Sequence, residues 1–311
     1  MPLMRSTLLA LSRNPSMQDL IVRMPVSRRV ARRFVAGETL DEAVAAVRTL
    51  NSQGCVATLD HLGENVATET EARAAADEYL DALDALFGSQ ADCNVSVKLT
   101  QMGLGMGEAF CHDNVRRIVR RAYELGNFVR IDMEGSDCTE ATLRVYRRLR
   151  ANHSNVGIVI QAYLHRSEED VRQLIAAGMG HFRLCKGAYD EPATIAWRDR
   201  PEVTRAFCRL IELCFAPESQ AGGAYAAVAS HDEEVLRRTL ELAAALGVPG
   251  AAYEFQMLYG IRRELQAELV RGGSRVRVYV PYGTHWYPYF MRRLAERPAN
   301  LRFFLRALAG G

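Results

Sequence analysis

Eight short apolar runs recur along the chain, and each closes on, or next to, a side chain able to do chemistry. They cover 55–60, 95–98, 128–132, 156–161, 182–186, 226–231, 252–256 and 276–280, and bring Asp60, Lys98, Asp132, Gln161, Lys186, His231, Gln256 and Tyr279 to their ends. Between consecutive runs lies a stretch with helical periodicity, so the pattern predicts a β/α unit repeated about eight times. That is an α/β fold of the (βα)8 TIM-barrel class, whose site lies where the strands end. The runs read as having few alternating polar positions, as expected for parallel strands covered on both faces.

Helix signals fall between the runs. Thr68 ahead of Glu69 and Glu71 predicts a capped helix through 74–87, stopped by Gly88. The same grammar predicts helices over 112–125 ending at Gly126, from Ser167 to Gly178, and over 232–246 ending at Gly247. The connection between the fifth and sixth runs is the longest, with Pro192, Pro201 and Pro217 promising irregular structure. After the eighth run come Trp286, Tyr287, Tyr289 and Phe290, then Arg292 and Arg293. An outer helix has no need of that composition, which suits a final helix lying over the barrel mouth.

At 311 residues and 49% hydrophobic, the chain suffices for one domain over 1–311: a helical segment over 1–50 and a barrel over 55–311. Lys+Arg 39 against Asp+Glu 37 gives a net charge of +2, which argues against a nucleic-acid partner and for at most peripheral membrane contact. No apolar run reaches the ~18 residues of a membrane span. Seven cysteines without a C-x-x-C pair fit reduced thiols in a cytoplasmic protein. Met1 to Arg33 carries seven arginines and one acid, Asp19, superficially like a transit peptide. Its unbroken continuation toward a helix at 41–50 favours a helical cap on the barrel.

Several side chains compete for chemical roles. Arg292 and Arg293 form either a solvated pair or a fork for a carboxylate, with Glu296 one turn on to orient one of them. Lys98 is a snorkelling strand-end lysine, a cation for an anionic substrate, or a Schiff-base nucleophile. Asp132 and Glu134 either ion-pair with Lys98 or Arg183 at the rim or act directly. Strand alternation puts Arg183 and Cys185 on one face and Leu184 and Lys186 on the other, so one cation of the two points inward. Gly187 would let backbone approach a ligand, and Gln161 suits the edge of a heterocycle. The glycine-rich stretch 103–107 lacks dinucleotide-binding spacing and reads as a mobile loop opening no immediate helix. The seven histidines show no H-x-H or H-E-x-x-H, so no metal site is expected.

Taken in order, the segments 96–100, 131–134, 182–189, 253–260 and 289–296 resemble the proline dehydrogenase family, nearest its short monofunctional bacterial members. The resemblance implies a distorted barrel holding non-covalent FAD, oxidation of L-proline to Δ1-pyrroline-5-carboxylate, and a quinone as electron acceptor. By that likeness Lys98, Arg292 and Arg293 bind the proline carboxylate, and Tyr189, Tyr279 and Tyr289 wall its ring. Asp132 organises Lys98 and the floor of the site. Arg183 and Gln161 contact the flavin ring, and Met133 approaches it through backbone. Cys185, standing where the family usually has valine, also touches the cofactor, with Lys186, Gly187 and Ala188 along the ribityl chain and pyrophosphate. Ser230 and His231 fall near the adenosine half, and Glu296 completes the set. Asp132 and Arg183 are the catalytic pair. Glu64, by loop position, either gates the mouth through Arg292 or is a solvated loop acid. The rival enzyme is a Schiff-base aldolase using Lys98, and the rival class a binding protein on an old barrel.

Overall fold

The computed structural model describes residues 15–296. Eight parallel strands close in sequence order into a barrel: β1 (Val56–His61), β2 (Cys93–Val97), β3 (Val129–Ile131), β4 (Val156–Gln161), β5 (His181–Cys185), β6 (Tyr225–Ala229), β7 (Tyr253–Leu258) and β8 (Val276–Tyr282). Closure comes from β1 against β8, with Val56 opposite Arg277 and His61 opposite Tyr282.

Among the described residues, α1 (Pro15–Arg23), α2 (Pro25–Ala31) and α3 (Leu40–Ser52) precede the barrel, followed by α4 (Glu69–Gly88), α5 (Glu108–Glu124), α6 (Ser136–Arg150) and α7 (Ser167–Ala176). Next come α8 (Arg200–Phe215), the short α9 (Pro217–Ala221), α10 (Glu233–Leu246), α11 (Arg263–Arg271) and α12 (Trp286–Glu296). Thr68 closes a capping box with Glu71, as the sequence implies, and Thr39 does the same with Glu42 ahead of α3. The glycine stretch departs from expectation: Leu104–Met106 winds one 3-10 turn, and Gly107, at φ 133°, is the N-cap of α5.

The larger departure concerns strand patterning. Leu59, Val95, Val97, Ile131, Ile158, Leu184 and Val280 face outward into the main core shared with the helices. Many of the residues between them, among them Thr58, Asp60, Asn94, Ser96, Arg130, Asp132, Arg183 and Tyr279, are polar and face the barrel axis. The proof is contact between non-adjacent strands: Arg183 on β5 donates to Ser96 on β2 at 3.0 Å and to Gln256 on β7. The alternation is real, and the inner face is lined with charge.

The ends of the chain shape the mouth. α3 packs on β1 and β8, covering the seam where the helix following the last strand would ordinarily lie. That helix, α12, crosses the mouth instead. Trp286, Tyr287 and Phe290 sit in a second cluster with Ile21, Val30 and Phe34 of the N-terminal segment. The aromatic richness after β8 thus serves mainly this helix-on-helix seam, and Tyr289 is the ring of the four that reaches the cavity below.

Candidate active site

Strand direction and the α12 crossing together enclose a cavity of about 920 Å3 at the C-terminal ends of the strands, at the large end for small-molecule sites. Lys98, Asp132, Met133, Gln161, Arg183, Cys185, Lys186, Gly187, Ala188, Tyr189, Ser230, His231, Tyr279, Tyr289, Arg292 and Arg293 all line it. The Glu296 side chain lies outside the described residues.

Lys98 follows directly on β2, and its ammonium is buried. Nζ donates to Asp60 Oδ1 at 2.6 Å and to the Tyr279 hydroxyl at 3.4 Å, while Asp132 Oδ2 stands at 3.6 Å. Its nearest counter-ion is therefore Asp60, the residue ending the first apolar run, rather than Asp132. Burial opposes the charge, yet the carboxylates of Asp60 and Asp132 hold the Lys98 pKa above that of a free lysine.

Asp132 instead serves Arg183 and Tyr279. Oδ1 accepts from Arg183 Nη1 at 2.7 Å and Ser96 Oγ at 2.6 Å, and Oδ2 accepts from the Tyr279 hydroxyl at 2.8 Å. Burial pushes the Asp132 carboxyl up, but Arg183 and Lys98 outweigh it and the net displacement is downward. The Arg183 guanidinium lies 5.1 Å from the Tyr279 ring centre. Glu134 makes no ion pair with Lys98 or Arg183; it accepts from the backbone N–H of Thr100 at 3.0 Å and from the Thr100 hydroxyl, joining the loops after β2 and β3.

The buried cavity-lining atoms without a hydrogen-bond partner include Arg183 Nη2, a donor, and Gln161 Oε1, an acceptor. The Gln161 amide is oriented by donating to the carbonyls of Met133 at 2.9 Å and Glu134 at 2.7 Å, which fixes its oxygen as the unpaired end. Cys185 is a free thiol whose pKa burial raises to about 12.

Strand alternation misplaces Lys186. β5 ends at Cys185, so Lys186 escapes the pleat and reaches the cavity wall, donating to Asp232 Oδ2 at 2.7 Å and to Thr204 Oγ1 at 3.2 Å. Gly187 has a conformational reason of its own besides lining the cavity: its φ is 108°, and a Cβ there would collide with the Tyr163 ring. His231 Nε2 accepts from the Leu258 N–H at 3.0 Å, tying this wall to the end of β7. At the mouth, Arg292 Nη1 donates to Glu64 Oε1 at 3.0 Å, joining α12 to the loop after β1. The Arg293 guanidinium stands 5.0 Å from the Tyr289 ring centre.

Sequence reasoning assigned no role to Asp60, Ser96, Asp232 or Gln256. Asp60 and Gln256 carried a signal, since both end apolar runs; Ser96 shares a strand face with Lys98, two residues on. Among the described residues no group of three or more His, Cys, Asp or Glu side chains is placed to hold a metal ion, and no helix is long and apolar enough to cross a membrane.

Comparison with known proteins agrees with this geometry. A family model described as proline dehydrogenase matches residues 43–306. The chain is 42% identical to proline dehydrogenase 1 of Bacillus subtilis subsp. natto, covering 98% of this chain and 99% of that one. It is 37% identical to the proline dehydrogenase of Deinococcus radiodurans, covering 99% of each. Among solved structures, proline utilization A from Bdellovibrio bacteriovorus, inactivated by N-propargylglycine, superposes with a TM-score of 0.81 at 28% identity. That match covers 87% of this chain and 33% of that one, so the chain spans about a third of the larger protein. A match over most of the sequence and relatives alike from end to end show that the chain belongs to the proline dehydrogenase family.

Proposed function

We propose that the chain oxidises L-proline to Δ1-pyrroline-5-carboxylate, the first step of proline catabolism to glutamate, with a non-covalently held FAD. When bound, FAD would supply the two-electron acceptor, its N5 being the atom to which the hydride of proline C5 would go. The residues present fit such a group. A flavin edge alternates donors and acceptors, and the lining offers both an unpaired acceptor, Gln161 Oε1, and an unpaired donor, Arg183 Nη2. Lys186, Gly187 and Ala188 continue along the cavity toward Ser230 and His231, and Arg200 and Val203 bring the first turn of α8 to its lining. These would hold the ribityl, pyrophosphate and adenosine portions, a helix N-terminus favouring the anionic part.

Lys98, Arg292 and Arg293 would bind the proline carboxylate, which charged donors do strongly and, for the guanidinium forks, directionally. Tyr189, Tyr279 and Tyr289 would wall the pyrrolidine ring. Asp132 and Arg183 would act as one unit, the carboxylate holding the guanidinium so that its charge faces the acceptor ring as electrons arrive. Holding proline in one attitude is the main contribution of the protein, since the substrate needs only a neutral amine before hydride departs. Glu64, which accepts from Arg292, would act as a gate that closes over bound substrate. On the family resemblance the reading extends to a quinone as electron acceptor and at most peripheral contact with the inner face of the cell membrane; on the cysteine pattern and the net charge of +2 it extends to a cytoplasmic chain with no nucleic-acid partner.

The observation that carries the reading is the convergence of the three carboxylate-binding cations with the unpaired Gln161 and Arg183 atoms on one cavity. The rival Schiff-base reading needs Lys98 as a neutral amine, and the Lys98 pKa is displaced the opposite way. The test is the visible spectrum of the pure protein before and after anaerobic L-proline. A flavin band that bleaches supports the proposal, whereas a colourless protein, or a band that proline leaves intact, ends it.

A further inference from the structure

The seventh apolar run ends on Glu254, Phe255 and Gln256, and the function proposed above uses neither polar member. Both are nearly inaccessible, Glu254 at 2% and Gln256 at 4% exposure, and both face the barrel axis. Arg183 Nε donates to Gln256 Oε1. Gln256 Nε2 donates to Glu254 Oε1 at 2.6 Å, and that carboxylate accepts from Arg277 Nε at 2.8 Å and Arg275 Nε at 3.2 Å.

An amide can be turned over, but here one orientation is enforced. Reversed, its NH2 would confront a guanidinium N–H and its oxygen a carboxylate, two repulsive contacts in a low-dielectric interior. The charge on Glu254 therefore selects the face that Gln256 shows to Arg183. Burial opposes that charge, but Arg277 keeps the Glu254 carboxyl below its usual pKa. The guanidinium is planar, so two anchors, Gln256 on Nε and Asp132 on Nη1 at 2.7 Å, fix where the third nitrogen points. That nitrogen, Nη2, is the one without a partner.

We propose that Gln256, locked by Glu254, is the positioning residue that aims Arg183 Nη2 into the cofactor cavity and so sets how readily the cofactor is reduced; the second half of this statement rests on the flavin reading. Gln256 lines the cavity but Glu254 does not, so Glu254 makes no contact with the cofactor; loss of its negative charge acting through space would raise the potential, whereas loss of the relay lowers it, and the sign of the shift separates the two.

The experiment measures the flavin midpoint potential and proline kinetics in Gln256→Met and Glu254→Gln. Both variants are expected to lower the reduction equilibrium by about tenfold, about 30 mV for a two-electron couple, with kcat reduced and KM for proline nearly unchanged. A parental potential in Glu254→Gln overturns the relay even if Gln256→Met shifts, because Gln256 would then act by direct contact. Should loss of the carboxylate beside Arg277 unfold the single variant, Glu254→Gln/Arg277→Met carries the same test. A colourless parent would end the flavin reading alone. The relay would then be read in that protein from solvent exchange of the Arg183 Nε–H proton, slow in the parent and fast in Gln256→Met, and equal rates would overturn it.

Discussion

Lys98→Met separates what the buried ammonium does for the fold from what it does for substrate. In the parent, Nζ lies 2.6 Å from Asp60 Oδ1, while Asp60 Oδ2 has no partner. Removing the ammonium leaves Asp60 a buried carboxylate with only the Tyr79 hydroxyl at 3.5 Å. Breaking such a pair from one side costs about 3–5 kcal/mol. Asp132 suffers less, because Arg183 and Tyr279 remain at 2.7 and 2.8 Å. Adding Asp60→Asn removes the stranded charge, so the double variant is expected to regain most of the loss, with a coupling energy of about 2–3 kcal/mol. Catalysis follows a different pattern. If Lys98 contacts the proline carboxylate, its loss removes about 1.5–3 kcal/mol, roughly 10- to 150-fold in kcat/KM, and Asp60→Asn cannot restore it. Urea unfolding gives the first quantity and proline oxidation with an artificial acceptor gives the second. A double variant with parental kcat/KM would show that Lys98 serves the fold alone; one no more stable than Lys98→Met would show that Asp60 is not its counter-ion.

Four further outcomes are expected. Arg292→Met and Arg293→Met each raise KM for proline by roughly thirtyfold, about 2 kcal/mol per lost charged contact, and unchanged proline kinetics would remove the clamp. Glu64→Ala frees Arg292 from its 3.0 Å partner and raises KM while kcat holds; kinetics matching the parent would leave Glu64 a loop acid. Gly187→Ala forces a side chain onto a φ of 108° and into the Tyr163 ring, costing at least about 1–3 kcal/mol, read as a lower melting temperature and poorer cofactor retention. His181, between the rings of Phe128 and Tyr225 at 4.4 and 4.5 Å, has its pKa held well below the usual value by burial and by the Arg130 charge. Its contribution is complete above the unfolded pKa of ~6.5 and is lost as pH falls below it, by up to about 1.4 kcal/mol per pH unit. Denaturant midpoints from pH 7.5 to about 5 should show that slope flattened in His181→Gln, and equal slopes would refute the assignment.

The barrel and its rim were legible because strand direction converts sequence position into place: whatever follows an apolar run stands at the mouth. Lys98, Asp132 and Gln161 need nothing more to be found. Partner choice was not legible. Asp60 and Lys98 are 38 residues apart and Arg183 and Gln256 73, and which pairs meet depends on the stagger between strands, which a linear pattern does not carry. Lys186 was misplaced for a local reason, since one residue beyond the last ladder bond the pleat no longer dictates direction. The inner charges were overlooked because Arg130, Glu254 and Arg277 sit at single alternate positions in otherwise apolar runs, which reads as covered strand until the alternation is followed through.

That inner face decides how the site and the fold depend on each other. A barrel of this class is usually filled by layers of branched apolar side chains, whereas here the axis holds Arg130, Arg183, Arg277, Asp132 and Glu254, all buried or nearly so. Such charges are tolerable only when paired and hydrogen-bonded. Arg183 is held by Asp132, Ser96 and Gln256 with Nη2 left over, and Arg277 by Glu254 and the Ala57 carbonyl. Arg130 makes no ion pair among the described residues: it donates to the carbonyl of His181 at 2.7 Å, its Nε is without a partner, and burial pushes its pKa down to about 9. Gly157 gives way for Arg130, since a Cβ there would strike its guanidinium. Arg183 and, through Asp132, Lys98 are thus the upper members of the network that fills the barrel, and a single substitution at Arg183 or Asp132 must damage stability and chemistry together. Only paired removals, or changes below the cavity such as Glu254→Gln, can tell the two apart.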